Sequence, residues 1–158
     1  MTATIRRLAI GDEELLRTIR LEALEDDPDA FGSTYEREVE RPIEDWRRWF
    51  TNGATFIAEV DEGPVGLAAG WRDLGGDPIV HVASMWVRPS HRGTGVADDL
   101  LRAVLEWAAS ERVDAVKLMV LGGNIRASKV YERHGFYPTG NTSIRERDGA
   151  VEVEMQRD

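Results

Sequence analysis

Between Val82 and Leu105 the chain reads VASMWVRPSHRGTGVADDLLRAVL. An apolar strand runs through a short glycine-bearing loop into a helix whose Val96, Leu100, Val104 and Ala108 share one ridge, with Leu101 and Leu105 beside it. The helix start is the chemically informative point. Its first backbone N–H groups lack partners and carry partial positive charge, so it can hold a pyrophosphate if nothing bulky blocks the approach. Gly93 and Gly95 remove that bulk, and Arg92 adds a cation beside it. Taken alone, the loop reads equally as a plain turn with glycines placed for geometry.

The surrounding pattern sets the fold class. Ala3 to Ala9 alternates as a first strand, and Asp12 caps a helix with Leu15, Leu16, Ile19 and Ala23 at helical spacing, ended by Asp26-Asp27-Pro28. DPDAFGSTYEREVERP follows as loop or broken helix, and Ile43, Trp46 and Phe50 mark a second helix stopped by Asn52-Gly53. Strands are expected over Ala54 to Val60 and Pro64 to Trp71, joined by Asp61-Glu62-Gly63, then over Ile79 to Arg88 and Ala115 to Leu121. A helix from Asn124 to His134 ends at Gly135, and Phe136 to Arg145 and Gly149 to Gln156 close the chain as two strands. The order β-α-α-β-β-β-α-β-α-β-β predicts an α/β fold. Residues 1–158 would form one domain, with a single mixed central sheet of about seven strands flanked by about four helices.

Composition removes several chemistries. With no cysteine there is no disulfide, thiolate nucleophile or cysteine-based zinc site, and three scattered histidines argue against any metal. No apolar run approaches the ~18 residues of a membrane span, and Asp12 arrives before any signal-peptide apolar region, so a cytoplasmic protein without a membrane partner is expected. The formal net charge is −9, and from Glu22 to Glu44 nine acids meet only Arg37 and Arg41. A nucleic-acid backbone would be repelled there. The acids read either as a solvated face or as a field that draws a cationic substrate.

Arg92-Gly93-Thr94-Gly95-Val96-Ala97 matches R/Q-x-x-G-x-G/A, with Val87-Arg88-Pro89 in the place of V-x-P. Farther on, Asn124 to Phe136 (NIRASKVYERHGF) matches N-x-x-A-x-x-x-Y-e-k-x-G-F. In these two motifs, and in element order from about Ala3 to Gln156, the chain resembles the GNAT superfamily of N-acetyltransferases. Ala30 to Thr34 (AFGST) is similar to a segment of many small bacterial members of unassigned substrate. A nucleotide P-loop fails for want of GK[ST], and a Rossmann fingerprint for want of a first-strand G-x-G-x-x-G.

The resemblance implies an acetyl-CoA-dependent enzyme that moves the acetyl group to a primary amine of a small molecule, by direct attack through a tetrahedral intermediate. It implies that the backbone of Arg92, Gly93, Thr94, Gly95, Val96 and Ala97 binds the CoA diphosphate. The strand at Met85, Trp86 and Val87 would splay from Val116 to Val120, its free backbone pairing with the pantetheine arm and offering an oxyanion donor. Asn124, with Ser128 on the same helix, would contact that arm, and Tyr131 would stand near the sulfur. Acid chemistry agrees: a phenol suits protonation of a leaving thiolate, and Tyr131 shares a helix face with Asn124. Packing in the core is the other reading of Tyr131.

For the general base, the family's usual place near the start of the strand before the loop holds His81, and imidazole suits proton transfer at neutral pH. Glu59 and loop acids are rivals. His91 and His134 read as exposed and capping residues. On the acceptor side Phe31, Tyr35, Trp46 and Trp49 would line a pocket while Glu36 attracts a cation, or else the aromatics are ordinary core. Acetylation of a protein N-terminus or lysine, and a non-catalytic acyl-CoA-binding module, are the alternatives. A homodimer is among the assemblies the family forms.

Overall fold

The computed structural model describes residues 2–158. Strand β1 (Thr4–Arg7) leads to helix α1 (Glu13–Asp26), a 3-10 turn at Pro28–Ala30, the one-turn helix α2 (Tyr35–Glu38) and helix α3 (Ile43–Thr51). Strands β2 (Gly53–Val60), β3 (Gly63–Arg72) and β4 (Ile79–Val87) follow. The chain ends with α4 (Val96–Ser110), β5 (Ala115–Leu121), α5 (Ile125–Arg133), β6 (Tyr137–Ile144) and β7 (Val151–Arg157). The expected mixed α/β fold with seven strands is present. The segment expected as loop or broken helix contains α2, which brings the helices to five; the Thr34 hydroxyl caps it by accepting the Arg37 N–H at 3.2 Å.

The seven strands form one sheet in the order β1-β2-β3-β4-β5-β7-β6, with β4 and β5 parallel and the remaining neighbours antiparallel. Side chains alternate across it, so each strand feeds two cores. Phe56, Ala58 and Ala68 face α4, whose Leu100, Leu101 and Val104 are fully buried. Ile57, Leu67 and Trp86 face α1 and α3, meeting Leu16, Ile19, Leu24 and Trp46. Each buried leucine, isoleucine, valine or phenylalanine among them is worth roughly 1.5–3 kcal/mol. Helix α4 comes so close to β3 that a Cβ on Gly66 would lie 2.8 Å from Leu100 and one on Gly70 2.9 Å from Val104, which is why glycine stands at both positions. Trp46, one of the aromatics weighed for a pocket, is 0% exposed in the second core. No helix among the described residues is long and apolar enough to cross a membrane.

Candidate functional site

The parallel ladder between β4 and β5 is short. Ile79, Val80 and His81 pair with Ala115, Val116 and Lys117, and the pairing stops there, leaving Val82–Val87 and Leu118–Leu121 without each other. On its other edge β4 carries a bulge: Leu67 pairs with Trp86 and Ala69 with Ala83, so Ser84 and Met85 share the single partner position of Ala68. A bulge bends its strand and sharpens the local twist, which turns the end of β4 away from β5. Ser84 adopts φ 63°, a left-handed conformation that costs a non-glycine residue about 1 kcal/mol.

What holds Ser84 there is buried charge. Arg20 of α1, 6% exposed, donates from Nη1 to Ser84 Oγ at 3.2 Å and makes two 3.0 Å bonds to Glu38, itself 1% exposed. Burial pushes the Glu38 carboxyl up, but Arg20, with Arg41 behind it, outweighs burial and leaves it below the usual range. The Arg20 guanidinium also lies 4.8 Å from the centre of the Phe31 ring.

A cavity of about 500 Å³ fills the opening. Its walls are Val82–Val87 of β4, Met119–Leu121 of β5, the loop at His91–Gly93 and Gly95, one face of α5, and Asp27, Ala30 and Phe31 from the segment after α1. Gly93 (φ 77°) and Gly95 (φ 90°) are both left-handed, and a Cβ on either would meet no protein atom within 4 Å. Glycine there gives the loop its turn and leaves its outer side open, with Gly95 as the N-cap of α4. Asn124 caps α5 by accepting the Ala127 N–H at 3.2 Å. Two turns on, Tyr131 borders the cavity at 7% exposure, its ring edge-on to Phe136, and burial pushes its phenol up to about 12.

Several expected site residues stand elsewhere. Thr94, Val96 and Ser128 are not among the lining residues: the Thr94 hydroxyl donates to the His91 carbonyl, and Val96, the first residue of α4, is buried in the core between that helix and the sheet. His81 lies just outside the lining, one residue before Val82. Its Nε2 is 2.8 Å from Asp73 Oδ1 and its ring is stacked on Trp71 at 4.3 Å, and this hydrogen bond holds the Asp73 carboxyl below its ordinary value. Glu59, its rival, is ion-paired with Arg6 at 2.8 Å. Tyr35 borders a separate shallow depression with Arg17 and Glu22, and Glu36 is exposed outside both. Of the proposed acceptor residues, therefore, Phe31 alone reaches the cavity. Arg92 borders it too, although its guanidinium is turned back to Val87 O and Asp26.

Sequence reasoning passed over the charged rim. Arg126, Lys129 and Arg133 line the cavity from α5, inside the same motif that supplies Asn124 and Tyr131, and Asp98 faces it from α4. It also missed a clamp from the β6–β7 turn. Arg145 donates to the carbonyls of Asp29 and Phe31 at 2.9 and 3.1 Å, and Arg147 to those of Phe31 and Ser33 at 2.9 and 3.1 Å. No motif announces these contacts, which span more than a hundred residues of chain.

A model of the acetyltransferase (GNAT) family matches residues 19–136. Streptothricin acetyltransferase of Escherichia coli is 32% identical over 81 residues, 51% of this chain and 44% of that protein. Mycothiol acetyltransferase of Nocardiopsis dassonvillei is 28% identical over 142 residues, 84% of this chain and 42% of that protein. The matches thus span less than half the length of these curated relatives. Among solved structures, a candidate acetyltransferase of Salmonella typhimurium, determined with its cofactor acetyl-CoA, superposes with a TM-score of 0.79 at 18% identity, covering 99% of this chain and 93% of that one.

Proposed function

The chain belongs to the GNAT acetyltransferase family, and on that premise we propose that it transfers an acetyl group from acetyl-CoA to a primary amine of a small molecule. The observation that carries the reading is the interrupted β4–β5 ladder opening beside a glycine loop at a helix start. A long, thin ligand with an anionic head and an amide-bearing arm suits both halves of that opening. Loop N–H groups from Gly93 to Ala97 would hold the diphosphate, the Arg92 N–H being taken by the Pro89 carbonyl at 3.3 Å, and the β5-facing edge of β4 at Met85 to Val87, unpaired there, would bond the arm.

Acetyl-CoA supplies an acyl group activated as a thioester. In the transfer a C–N bond forms, the C–S bond breaks, the amine loses a proton and the sulfur gains one. A β4 backbone N–H would face the carbonyl oxygen as negative charge collects on it. Tyr131, kept protonated by its burial, is a standing donor for the departing sulfur. Full transfer from a phenol near 12 to an alkylthiolate whose own pKa is about 8.5 is uphill by roughly 5 kcal/mol. Its main contribution is therefore a hydrogen bond that strengthens as the sulfur becomes charged, and the released thiolate takes its proton from water. His81, steadied by Asp73, would take the amine proton through a bridging water.

The acidic run contributes less field than its charge count suggests, since Glu38, Asp26 and Glu22 are paired with Arg20, Arg92 and Arg88. Asp27 is the acid of that run that lines the cavity, and it is our choice for drawing a cationic amine toward Phe31. We read residues 1–158 as one catalytic domain working in the cytoplasm. The test is thermal stabilisation by acetyl-CoA, followed by thiol release with a panel of small amines and of peptides. Stabilisation with release on small amines is expected. Release on peptides alone would transfer the reading to a protein acceptor, and stabilisation without release on any acceptor would leave a binding module.

A further inference from the structure

Helix α4 opens with two acids, Asp98 and Asp99, in its first turn. Carboxylates are ordinarily favourable there because they meet the positive end of the helix. In this chain the same end is where the loop offers its N–H groups, so a carboxylate and an incoming diphosphate compete for one patch of positive potential. Asp99 is drawn aside by Arg102 at 2.8 Å, three residues farther along the same helix. Asp98, 23% exposed, lines the cavity itself.

Two consecutive residues at the end of α5 converge on Asp98. Arg133 donates from Nε at 3.2 Å and from Nη2 at 3.0 and 2.9 Å, engaging both carboxylate oxygens, and His134 Nε2 stands 2.9 Å from Oδ1. Burial pushes the Asp98 carboxyl up, but these partners outweigh it and hold the group below its usual range, so it is anionic at neutral pH. Half-exposed pairs such as Arg133–Asp98 contribute little to stability. Two partners on one acid beside an anion site have a clearer use.

We propose that Arg133 and His134 are positioning residues for the acyl donor, holding and screening Asp98 so that the start of α4 remains available to a diphosphate. The proposal rests on the reading of the α4 start as the diphosphate site. It makes Asp98 a local antagonist of binding that is normally masked, so its sign is unusual: removing a cation that acts through Asp98 weakens binding, and removing the acid it masks restores it.

The experiment is titration calorimetry with acetyl-CoA at low salt on four proteins: the parent, Arg133→Ala, Asp98→Asn and the double variant, each first checked for a parent-like thermal transition. Arg133→Ala is expected to lose about fivefold to tenfold in affinity, with the loss shrinking as salt rises. Asp98→Asn binds more tightly than the parent, and the double variant returns to within about twofold of it. A double variant as weak as Arg133→Ala overturns the proposal, because Arg133 then contacts the phosphate directly or merely holds α5 in place. Parent-like affinity in Arg133→Ala also overturns it, while leaving the diphosphate site standing. A parent that does not bind acetyl-CoA at all removes the underlying reading along with the proposal.

Discussion

Arg92 Nη2 lies 2.8 Å from Asp26 Oδ2, so the one guanidinium in the glycine loop is turned back onto the end of α1. Its Nε donates to the Val87 carbonyl at 2.9 Å, and the same Asp26 oxygen takes the Trp86 indole N–H at 3.0 Å. Arg92 thereby fixes where the loop leaves β4. Arg92→Ala should weaken acetyl-CoA binding by about tenfold through a loosened loop and an uncompensated Asp26. Arg92→Lys should recover little of the loss, because a point charge cannot serve both acceptors as the planar fork does. Calorimetric affinities decide it, and a Lys variant equal to the parent would make Arg92 a simple source of positive charge.

Gly95 caps α4 at φ 90° with open space where a Cβ would stand. Gly95→Ala should lower stability by roughly 1–2 kcal/mol through backbone strain and still bind acetyl-CoA measurably. Gly95→Glu bears the same strain and adds a carboxylate where the diphosphate is expected, so a folded Gly95→Glu protein should lose more than about a hundredfold in affinity. If it binds as the parent does, the phosphate site lies elsewhere.

Tyr131→Phe keeps the ring that meets Phe136 edge-on and removes the hydroxyl alone. Acetyl-CoA affinity and stability should change little, and the first-turnover rate of acetyl transfer under saturating amine should fall by roughly 10²–10³-fold, the scale of losing one hydrogen bond to developing charge. Single turnover is the informative regime because slow product release could mask the chemical step. An unchanged first turnover would mean that the thiolate leaves without this residue.

His81→Gln should leave acetyl-CoA affinity intact and lower turnover at neutral pH. Asp73, held below the ordinary carboxylate value by its bond to His81, is charged throughout the range from about pH 5 to 8 and contributes no titration there. An acid limb of kcat/KM in that range that vanishes in His81→Gln identifies the imidazole as the base. A limb that survives the substitution assigns the proton to another group.

Arg145 and the Ala150 N–H hold the Asp148 carboxyl down at about 2, below its unfolded value near 3.8. A depressed acid stabilises the fold above its unfolded pKa, and that contribution disappears as pH falls through the folded value. Between about pH 4 and pH 2 the parent should therefore lose stability more steeply than Asp148→Asn when thermal transitions are compared. Parallel curves would show that the Arg145–Asp148 pair does not differ between the folded and unfolded chains.

How much of this was legible follows the range of each signal. The loop at Arg92–Gly95 and the Asn124–Tyr131 stretch are contiguous, so their chemistry stands in the sequence, and the fold brings both to one cavity. Strand order along the chain was equally local, but nothing local says that β7 inserts between β5 and β6. Charge counting placed Glu38 in an acidic run without saying that Arg20, eighteen residues earlier, buries it. Helical spacing left Trp46 open to either reading, and packing against Leu16 and Ile57 decided for the core. Tyr35 and Glu36 were grouped with Phe31 by proximity alone. The cap at Thr34 begins a new helical turn between them and Phe31, and the cavity ends before it.

The break in the β4–β5 ladder also bears on how such a chain can change over generations. On the proposed reading, a ligand held along that seam would be recognised by main-chain groups, which every amino acid except proline carries in full, so substitutions at Met85 or Met119 would alter the wall without erasing the contacts that hold the arm. What must persist is conformational: the left-handed turn at Ser84 and the two left-handed glycines of the loop. Selection on donor binding would then act on a handful of backbone angles. The side chains around Phe31 remain free to drift toward a new acceptor while the donor is kept.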